Sequence, residues 1–460
     1  MKIPNVSEKW LIGGLLLISA FAHGFNMFHF PYFENDEAVY VSQAWAVSEN
    51  GALAPYTYWY DHAPGGWLLI AAWAKLTGGY FMFENSISTA RVLILFLHLL
   101  STLLLYLITK RLSGSTFAAT IAALIFSLSP LGIYFQRRVL LDNIMVFWCL
   151  LSVFFLLSGT KKLRYIFLSA ICFAIACLSK ETAAFFLPAY IYLVYVTNEE
   201  KKRLVPIVSW LVLAGAIISV YLLYALIKGE FFPSGTWLGG ILPHVSLLET
   251  LQFQGSRPGG SVFDPQNSLF WQNMARWKEN DGFIIVGGVL SIFVNAWYWW
   301  RKRAMLTGFS VMLSVFSFLF LMRGGVVIEF YVIPMIPILA LSVGMAAHHL
   351  IEQVRWRSIT IRHQSKLAVA VVLLAGYALF GHSYQGLNLY TADQVTPQLQ
   401  ALEWIRANAE PDDYIITDNY LWLDLNAPEN PSGKVFKNAE WYWKAERDPE
   451  IKTDLLKKRS

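Results

Sequence analysis

Long apolar stretches alternate with short polar connections along most of the chain. Crossing about 30 Å of hydrocarbon takes roughly 20 residues in a helix, and about eleven stretches approach that length. They are residues 9–30, 87–108, 116–135, 144–159, 164–179, 183–197, 205–227, 283–300, 305–322, 326–349 and 366–385. The pattern predicts an all-α polytopic membrane protein.

The first long polar connection contains two further helical patterns. The stretch DEAVYVSQAWAVSEN predicts a helix that starts at Asn35 or Asp36, and residues 63–79 hold an apolar run too short to cross a bilayer. Such a run is typical of a helix that lies in the membrane interface. We therefore expect interfacial helices in this connection.

Basic residues predict the orientation of the chain. They cluster at every second connection, at Lys2 and Lys9, Lys110-Arg111, residues 161–164, 201–203, 301–303 and 355–366. Because basic residues near helix ends stay on the cytoplasmic side, the N-terminus is predicted to be cytoplasmic and the long connections external. The net charge of +5 is then mostly a topology signal, and we expect no nucleic-acid partner.

The same pattern predicts two regions. Residues 1–385 form the membrane domain, with external loops 31–86 and 228–282, and residues 386–460 form a short external tail. The tail begins like an α/β unit, with a helix from Thr396 and a strand at 414–417, and we expect a cap on the external face. Aromatic residues and a Gly-rich turn in the loop 228–282 predict a mobile cover over an external site.

Composition agrees with a membrane location. The chain is 56% hydrophobic and 15% charged, with a mean hydropathy of +0.45. Cys149, Cys172 and Cys177 all lie in predicted spans, where thiols act as small apolar side chains, so no disulfide framework is indicated. The one N-glycosylation pattern, at residues 5–7, falls on the cytoplasmic side, which favours a multi-pass protein of a prokaryotic plasma membrane.

Several charges break the topology pattern, because they lie at connections predicted to be external. They are Asp36, Glu37, Arg137, Arg138, Lys180, Glu181, Arg323 and Glu329. Ionisable groups at the edge of a membrane are costly and indicate function by default. Plain structural roles stay open: Asp36 or Asp142 as a helix N-cap, and Lys180 with Glu181 as a local ion pair.

A group-transfer enzyme on the external face has no ATP or nucleotide sugar and needs a donor delivered through the bilayer. A lipid phosphate is such a donor. Arg and Lys side chains can hold its phosphate and stabilise the charge that develops as it leaves. A nearby carboxylate can act as general base toward an acceptor hydroxyl.

Five motifs, in order, carry a family resemblance. They are FENDEAVY (33–40), YDHAPGGWLLIAAWAKLTG (60–78), RRVLLDN (137–143), LSKET (178–182) and EFYVIPMIPILAL (329–341). Over residues 1–345 the chain resembles the GT-C class of polyprenyl-phosphate-sugar glycosyltransferases and is similar to protein O-mannosyltransferases and the lipid A aminoarabinose transferase. Two departures concern the second motif: Ala63 replaces the family's first Pro, and Gly65-Gly66 replace its Leu-containing end.

The resemblance implies an inverting transfer of a monosaccharide. Asp36 would deprotonate the acceptor, and Glu37 would orient the acceptor or the donor. Arg138 and Lys180 would bind the carrier phosphate. The remaining implied substrate-binding residues are Arg137, Asp61, His62, Arg323 and Tyr331.

The resemblance also implies partners. The donor would be a polyprenyl-phosphate-linked sugar, and the acceptor a lipid, a cell-envelope glycan or a protein. The family's eukaryotic β-trefoil insert is missing here, which weakens the case for a protein acceptor. Some family members use a divalent metal ion, for which Asp36, Glu37, Asp61 and His62 are candidate ligands. The alternatives are a secondary transporter or lipid flippase and a non-catalytic membrane scaffold.

Overall fold

The structure is a computed structural model that describes residues 6–51, 60, 62–159, 162–198, 203–241, 244–353 and 388–443. Helices dominate it. They are α1 (Val6–Gly24), α2 (Asn35–Asn50), α3 (Gly65–Thr77), α4 (Ser86–Ser113), α5 (Thr116–Leu128), α6 (Pro130–Phe135), α7 (Leu141–Ser158), α8 (Leu163–Ser179), α9 (Leu187–Thr197), α10 (Leu204–Ile227), α11 (Leu247–Ser256), α12 (Leu269–Asn280), α13 (Gly288–Lys302), α14 (Met305–Leu321), α15 (Met335–Gln353), α16 (Asn388–Thr391), α17 (Thr396–Asn408) and α18 (Asn419–Asn426).

Within the described residues, five helical stretches are long and apolar enough to cross a membrane. They are Ser86–Ser113, Leu141–Ser158, Leu204–Ile227, Phe283–Lys302 and Glu329–Ile351. Shorter apolar helices cover Thr116–Leu128, Leu163–Ser179, Glu181–Thr197 and Met305–Leu321. The predicted all-α polytopic architecture is confirmed in this form. The full number of spans stays a prediction, and the stretch 366–385 lies outside the described residues.

The membrane helices pack as a bundle around buried apolar side chains. Helix α4 packs against α5 and α7, α7 against α8, α8 against α10, and α5 against α15. Small residues allow the closest approach, as between α15 and α5, where a Cβ atom on Gly344 would lie 2.5 Å from the carbonyl oxygen of Ala118. Such contacts are typical of helix packing in membranes, where close backbone approach replaces the hydrophobic driving force.

Local sequence signals set the ends of these helices. At the start of α4, the Asn85 side chain accepts a hydrogen bond of 2.8 Å from the backbone N–H of Ser88. At its end, Lys110 and Arg111 lie in the last turn and Gly114 adopts a left-handed φ of 70°. The helix therefore has a conventional polar start and a basic end.

Two predicted spans have different bounds in the structure. The span predicted over 9–30 ends as a helix at Gly24, because Asn26 takes a left-handed φ of 63° and turns the chain. The span predicted over 326–349 becomes an α-helix only at Met335, after a 3-10 segment at Glu329–Val332 and Pro334. The two helices predicted in the first connection are confirmed as α2 and α3.

The tail is a small α/β unit, as its sequence predicts, but it contains two strands where one was expected. Strand β1 (Ile415–Thr417) pairs in parallel with β2 (Ala439–Trp441), and Ile416 faces Glu440 across the pair. The unit has its own apolar core around Leu402, Leu425 and Phe436. Helix α18 packs on α2, so the tail covers the helix that follows the first membrane segment.

The second long loop is tied to a neighbouring connection. The backbone N–H of Gly259 donates to Gly324 O at 2.8 Å, and that of Val326 donates to Arg257 O at 3.1 Å. A Cβ atom on Gly259 would lie 1.8 Å from the carbonyl oxygen of Gly325, so the Gly-rich turn predicted from the sequence is needed for this close approach. The turn attaches the second loop, part of which lines a cavity, to the connection between α14 and α15.

Candidate active site

Connections from the same end of the bundle enclose a cavity of about 840 Å³. Asp36 from the start of α2, His62 from the segment before α3, Lys180 from the end of α8 and Tyr331 from the segment before α15 all line it. Four residues predicted from separate motifs are thus brought together. A cavity of this size can take a small polar group attached to a lipid chain.

Asp36 is the acid of the first motif that reaches the cavity. It is the second residue of α2 and is half-buried. The N-cap of α2 is Glu34, so the alternative role of Asp36 as a helix cap does not apply. The charge of Asp36 also contributes to the electrostatic environment of Lys180, which lines the same cavity.

Glu37, the neighbouring acid, points into the protein and does not line the cavity. Its side chain is fully buried and pairs with Arg91 of α4, with Nη2 to Oε2 at 2.8 Å and Nε to Oε1 at 3.0 Å. It also accepts hydrogen bonds from the backbone N–H groups of Val139 at 2.8 Å and Glu34 at 2.9 Å. These contacts suit a residue that positions α2, in place of the predicted contact with substrate.

Lys180 is held at the cavity by a buried partner. Its Nζ lies 2.9 Å from Oδ2 of Asp142, and both side chains are almost fully buried. Burial is the largest influence and lowers the pKa of Lys180, but the charge of Asp142, its hydrogen bond to Lys180 and the nearby Tyr331 and Asp36 together outweigh it. The pKa is therefore raised and the ammonium form is favoured. The rings of Phe330 and Tyr331 lie 5.1 and 5.7 Å from Nζ. The proposed local pair of Lys180 with Glu181 is replaced by this longer-range pair.

His62 forms a second pair at the cavity wall, and both side chains of the pair are partly exposed. Its Nδ1 lies 2.9 Å from Oε2 of Glu181, and the backbone N–H of Ala63 donates to Oε1 of the same carboxylate at 2.6 Å. The residues between α8 and α9 thus fix the segment before α3. The LSKET motif contains Glu181, but the sequence did not predict its contact with His62, because residues 62 and 181 are far apart in the chain.

Arg138 lies behind the cavity wall. Its Nη1 is 3.1 Å from Oε2 of Glu34, its Nη2 donates to the Tyr134 hydroxyl at 3.0 Å, and its guanidinium lies 4.5 Å from the Tyr32 ring centroid. The side chain is only 2% exposed and does not line the cavity. It holds the N-cap residue of α2, which carries Asp36 two positions later.

Two of the predicted substrate-binding residues, Arg137 and Arg323, donate hydrogen bonds to backbone carbonyl groups. Arg137 donates to the carbonyl oxygens of Ala22 and Phe25 at 2.8 Å each, and further to Leu389 and Phe30. It therefore clamps the end of α1 and joins it to the tail. Both terminal nitrogens of the buried guanidinium are used by carbonyl groups, so the geometry favours a structural role for Arg137 over the predicted contact with substrate.

Arg323 has a comparable structural role at the end of α14. Its two terminal nitrogens donate to Phe320 O at 2.6 Å and Val326 O at 2.9 Å. Carbonyl groups left open at a helix C-terminus are natural partners for a guanidinium. Arg323 does not line the cavity, so its contact with substrate stays a prediction.

Asp36, Glu37, Asp61 and His62 are the predicted candidate ligands for a divalent metal ion. Asp61 lies outside the described residues. Asp36 and His62 both line the cavity, whereas Glu37 is bound to Arg91. Among the residues that the structure describes, no group of three or more His, Cys, Asp and Glu side chains is arranged to hold a metal ion.

Aromatic residues at the cavity were missed by the sequence reasoning. Trp67 of α3, Trp441 of β2 and the nearby Trp443 all line it. The indole N–H of Trp67 is buried and has no hydrogen-bond partner among the described residues. Their signal was weak, because 18 Trp residues are spread over a membrane protein in which interfacial Trp is common.

One known protein family matches part of the chain. The family model of dolichyl-phosphate-mannose-protein mannosyltransferases matches residues 61–227, which include His62, Lys180 and Asp142. No curated protein sequence matches the chain significantly.

Solved structures share the fold at low sequence identity. ArnT from Cupriavidus metallidurans bound to undecaprenyl phosphate matches with a TM-score of 0.62 and 13% identity, over 97% of this chain and 89% of that chain. The apo oligosaccharyltransferase from Archaeoglobus fulgidus matches with a TM-score of 0.59 and 14% identity, over 87% of this chain and 58% of that chain. The archaeal oligosaccharyltransferase AglB in complex with an inhibitory peptide and a dolichol-phosphate matches with 0.56 and 13%, over 94% and 61%.

The family-model match over residues 61–227 and the shared fold support the resemblance to the GT-C superfamily of polyprenyl-phosphate-dependent glycosyltransferases. The chain spans 58 to 61% of the length of the archaeal oligosaccharyltransferases. What those proteins act on is therefore considered below only as a proposal for this chain.

Proposed function

We propose that the protein is an inverting glycosyltransferase that moves a monosaccharide from a polyprenyl-phosphate carrier to an acceptor hydroxyl or amine. The observation that carries this proposal is that Asp36 and Lys180 line one cavity. One group can accept a proton and the other can hold an anion. Lys180 directly follows the apolar helix α8, at a depth that a lipid-linked donor can reach.

In the proposed reaction Asp36 is the general base. Its carboxylate takes the proton of the acceptor hydroxyl or amine, and the acceptor atom attacks the anomeric carbon from the face opposite the phosphate. The bond between acceptor and sugar forms while the bond between the anomeric carbon and the phosphate oxygen breaks. The sugar is transferred with inversion of configuration.

The electron pair of the broken bond stays on the carrier phosphate. Lys180 would stabilise this charge, since Asp142 favours its ammonium form and its Nζ lies beside the cavity. We assign Tyr331 and His62 to the walls that orient the two substrates. Glu37 and Arg138 would act indirectly, by holding the start of α2.

We further propose that the cavity faces the outside of a prokaryotic plasma membrane. The connections that build it are those without the basic clusters, as the positive-inside pattern requires for an external face. A secondary transporter fits less well, because transporters place polar groups near the middle of the membrane on broken helices, whereas these groups lie at helix ends.

The test is sugar transfer by the purified protein in nanodiscs. Radiolabelled polyprenyl-phosphate sugars serve as donors, a membrane extract supplies acceptors, and the wild type is compared with Asp36→Asn. We expect transfer by the wild type and at least about a hundredfold loss in the variant, the lower range for removal of a general base. Asp264→Asn, the same change at an exposed loop position, is the matched control and should retain activity.

Two results would contradict the proposal. Equal transfer by the wild type and Asp36→Asn would remove Asp36 from the reaction. Failure of the wild type with every donor of a broad panel, in protein that still binds polyprenyl phosphate, would favour the transporter or flippase.

A further inference from the structure

An uncharged loop with an apolar tip follows α10. Residues 231–241, FFPSGTWLGGI, contain no charged side chain, and we call this segment the apolar loop. Trp237 and Ile241 are each 94% exposed and Leu238 is 57% exposed. Large apolar side chains are favoured in an apolar surrounding, so this exposure in water is costly.

The tip is held in place by the loop itself. Gly235 N–H donates to Gly240 O at 2.7 Å, and the Thr236 hydroxyl donates to Pro233 O at 2.6 Å. A Cβ atom on Gly239 would lie 2.0 Å from the carbonyl oxygen of Pro233, so the turn requires glycine there. A closed turn of this kind presents Trp237 and Leu238 in a fixed arrangement.

The base of the apolar loop joins the membrane helix α10. Backbone N–H groups of Leu247 and Leu248 donate to the carbonyl oxygens of Glu230 and Phe231 at 2.9 and 3.1 Å, which returns the chain to the end of α10. The span Leu204–Ile227 has only 17% of its most apolar window buried in the protein, as expected of a lipid-facing helix. Ile227 at its end is 79% exposed. The apolar loop is therefore attached at the end of a lipid-facing helix, and Lys228, Gly229 and Glu230 separate the two along the chain.

The other side of the same loop belongs to the cavity. Ser234 of the loop lines the cavity, and so do Val245 and Ser246, which follow the loop in the chain. One segment thus has a cavity face and an exposed apolar face. Anything that fixes the exposed face also fixes the wall of the cavity.

We propose that the apolar loop inserts Trp237, Leu238 and Ile241 into the lipid surface next to α10 and holds the cavity wall there. Trp is favoured at the membrane interface because its ring is apolar and its N–H remains near water. The lack of charge on residues 231–241 and the attachment of the loop at the end of the lipid-facing helix α10 favour lipid as the occupant. This contact is a property of the surface and does not depend on the transfer reaction.

The test uses an environment-sensitive fluorophore on single cysteines. Trp237→Cys and Ile241→Cys are labelled in a background without Cys149, Cys172 and Cys177, in nanodiscs that hold one copy of the protein. Lipids with a quencher near the headgroup should reduce the fluorescence about twofold or more at both positions, as for a group in the interface. Glu410→Cys, at an exposed position of the tail, should be unaffected.

Two positions are used so that the result does not depend on one substitution in the turn. Quenching at 237 and 241, but not at 410, supports insertion. If lipid quenchers affect neither loop position, the proposal is wrong. Shielding of these positions that occurs only when two copies share a disc would assign the surface to a second copy and overturn the lipid contact.

Discussion

At the scale of single residues, the adjacent acids Asp36 and Glu37 have different surroundings because of helix geometry. Successive side chains on an α-helix point about 100° apart. When Asp36 faces the cavity, Glu37 faces Arg91 and the backbone of Val139. The sequence predicts both acids at the site, but only one of them can reach it.

Glu37→Gln should mainly reduce stability. It leaves the fully buried Arg91 without a negative partner, and removing one member of a buried pair costs about 3–5 kcal/mol. We expect a lower midpoint of thermal unfolding in detergent than for the wild type, whereas Asp36→Asn should leave the midpoint nearly unchanged. An unchanged midpoint combined with lost transfer would instead return Glu37 to the reaction.

Lys180 should contribute directly to binding of the carrier phosphate. The double variant Asp142→Asn with Lys180→Gln removes both charges of the pair without leaving one of them buried alone. A hydrogen bond to a charged group is worth about 1.5–3 kcal/mol, so polyprenyl phosphate should bind about ten- to a hundredfold more weakly.

The measurement is the Kd for polyprenyl phosphate in detergent, and its control is an exposed lysine. Lys75→Gln removes a positive charge from the end of α3 and should leave the Kd unchanged. An unaltered Kd in the double variant would limit Lys180 and Asp142 to a structural role.

Charge and spacing predicted that polar groups from separate connections come together. Asp36, His62, Lys180 and Tyr331 meet at one cavity, as expected from polar groups at connections on one side. The surroundings of the arginines were not predicted, because the sequence shows that a guanidinium is near a turn but not which carbonyl groups from distant segments accept its hydrogen bonds. Arg137, with four carbonyl partners, is the clearest case.

At the scale of elements, helix periodicity and end signals predicted most of the helices. The exceptions have local causes, such as the left-handed Asn26 that ends α1 early. Strand β2 was missed because three residues, Ala439–Trp441, are too few for a visible alternation and form a strand only beside β1. The pairing of such a short strand depends on the tertiary structure.

Docking of the tail should depend on pH through Asp424 of α18. Its carboxylate accepts hydrogen bonds from the hydroxyl of Ser86 at 2.5 Å and from the Ser86 backbone N–H at 3.3 Å, at the start of α4. Burial raises the pKa of Asp424 to about 6. The docked form therefore holds the proton more tightly than the free form, and docking should weaken as pH rises from about 4 through about 6.

The expected change is up to about 3 kcal/mol for a pKa raised by about two units. Hydrogen exchange of the backbone in α17 and α18 should be slower at pH 5 than at pH 8, after correction for the intrinsic pH dependence of exchange. Asp424→Asn cannot ionise and should lose most of this difference. A difference that persists in the variant would assign the effect to another group.

At the scale of the whole molecule, the basic clusters predict which side of the membrane the cavity faces. The cavity is built from connections at one end of the bundle, and Lys110-Arg111 at the end of α4 belong to the other end. Because basic residues are retained in the cytoplasm, the cavity should open on the external side.

Two single cysteines test this, in a background without the native thiols. Gln266→Cys lies in the exposed loop between α11 and α12, and Thr116→Cys lies at the start of α5, near Lys110-Arg111; both parent residues are exposed. A membrane-impermeant maleimide should label Gln266→Cys in intact cells and Thr116→Cys only after the membrane is opened. The reverse labelling would place the cavity in the cytoplasm, where nucleotide sugars are present, and the argument for a lipid-linked donor would then lose its premise.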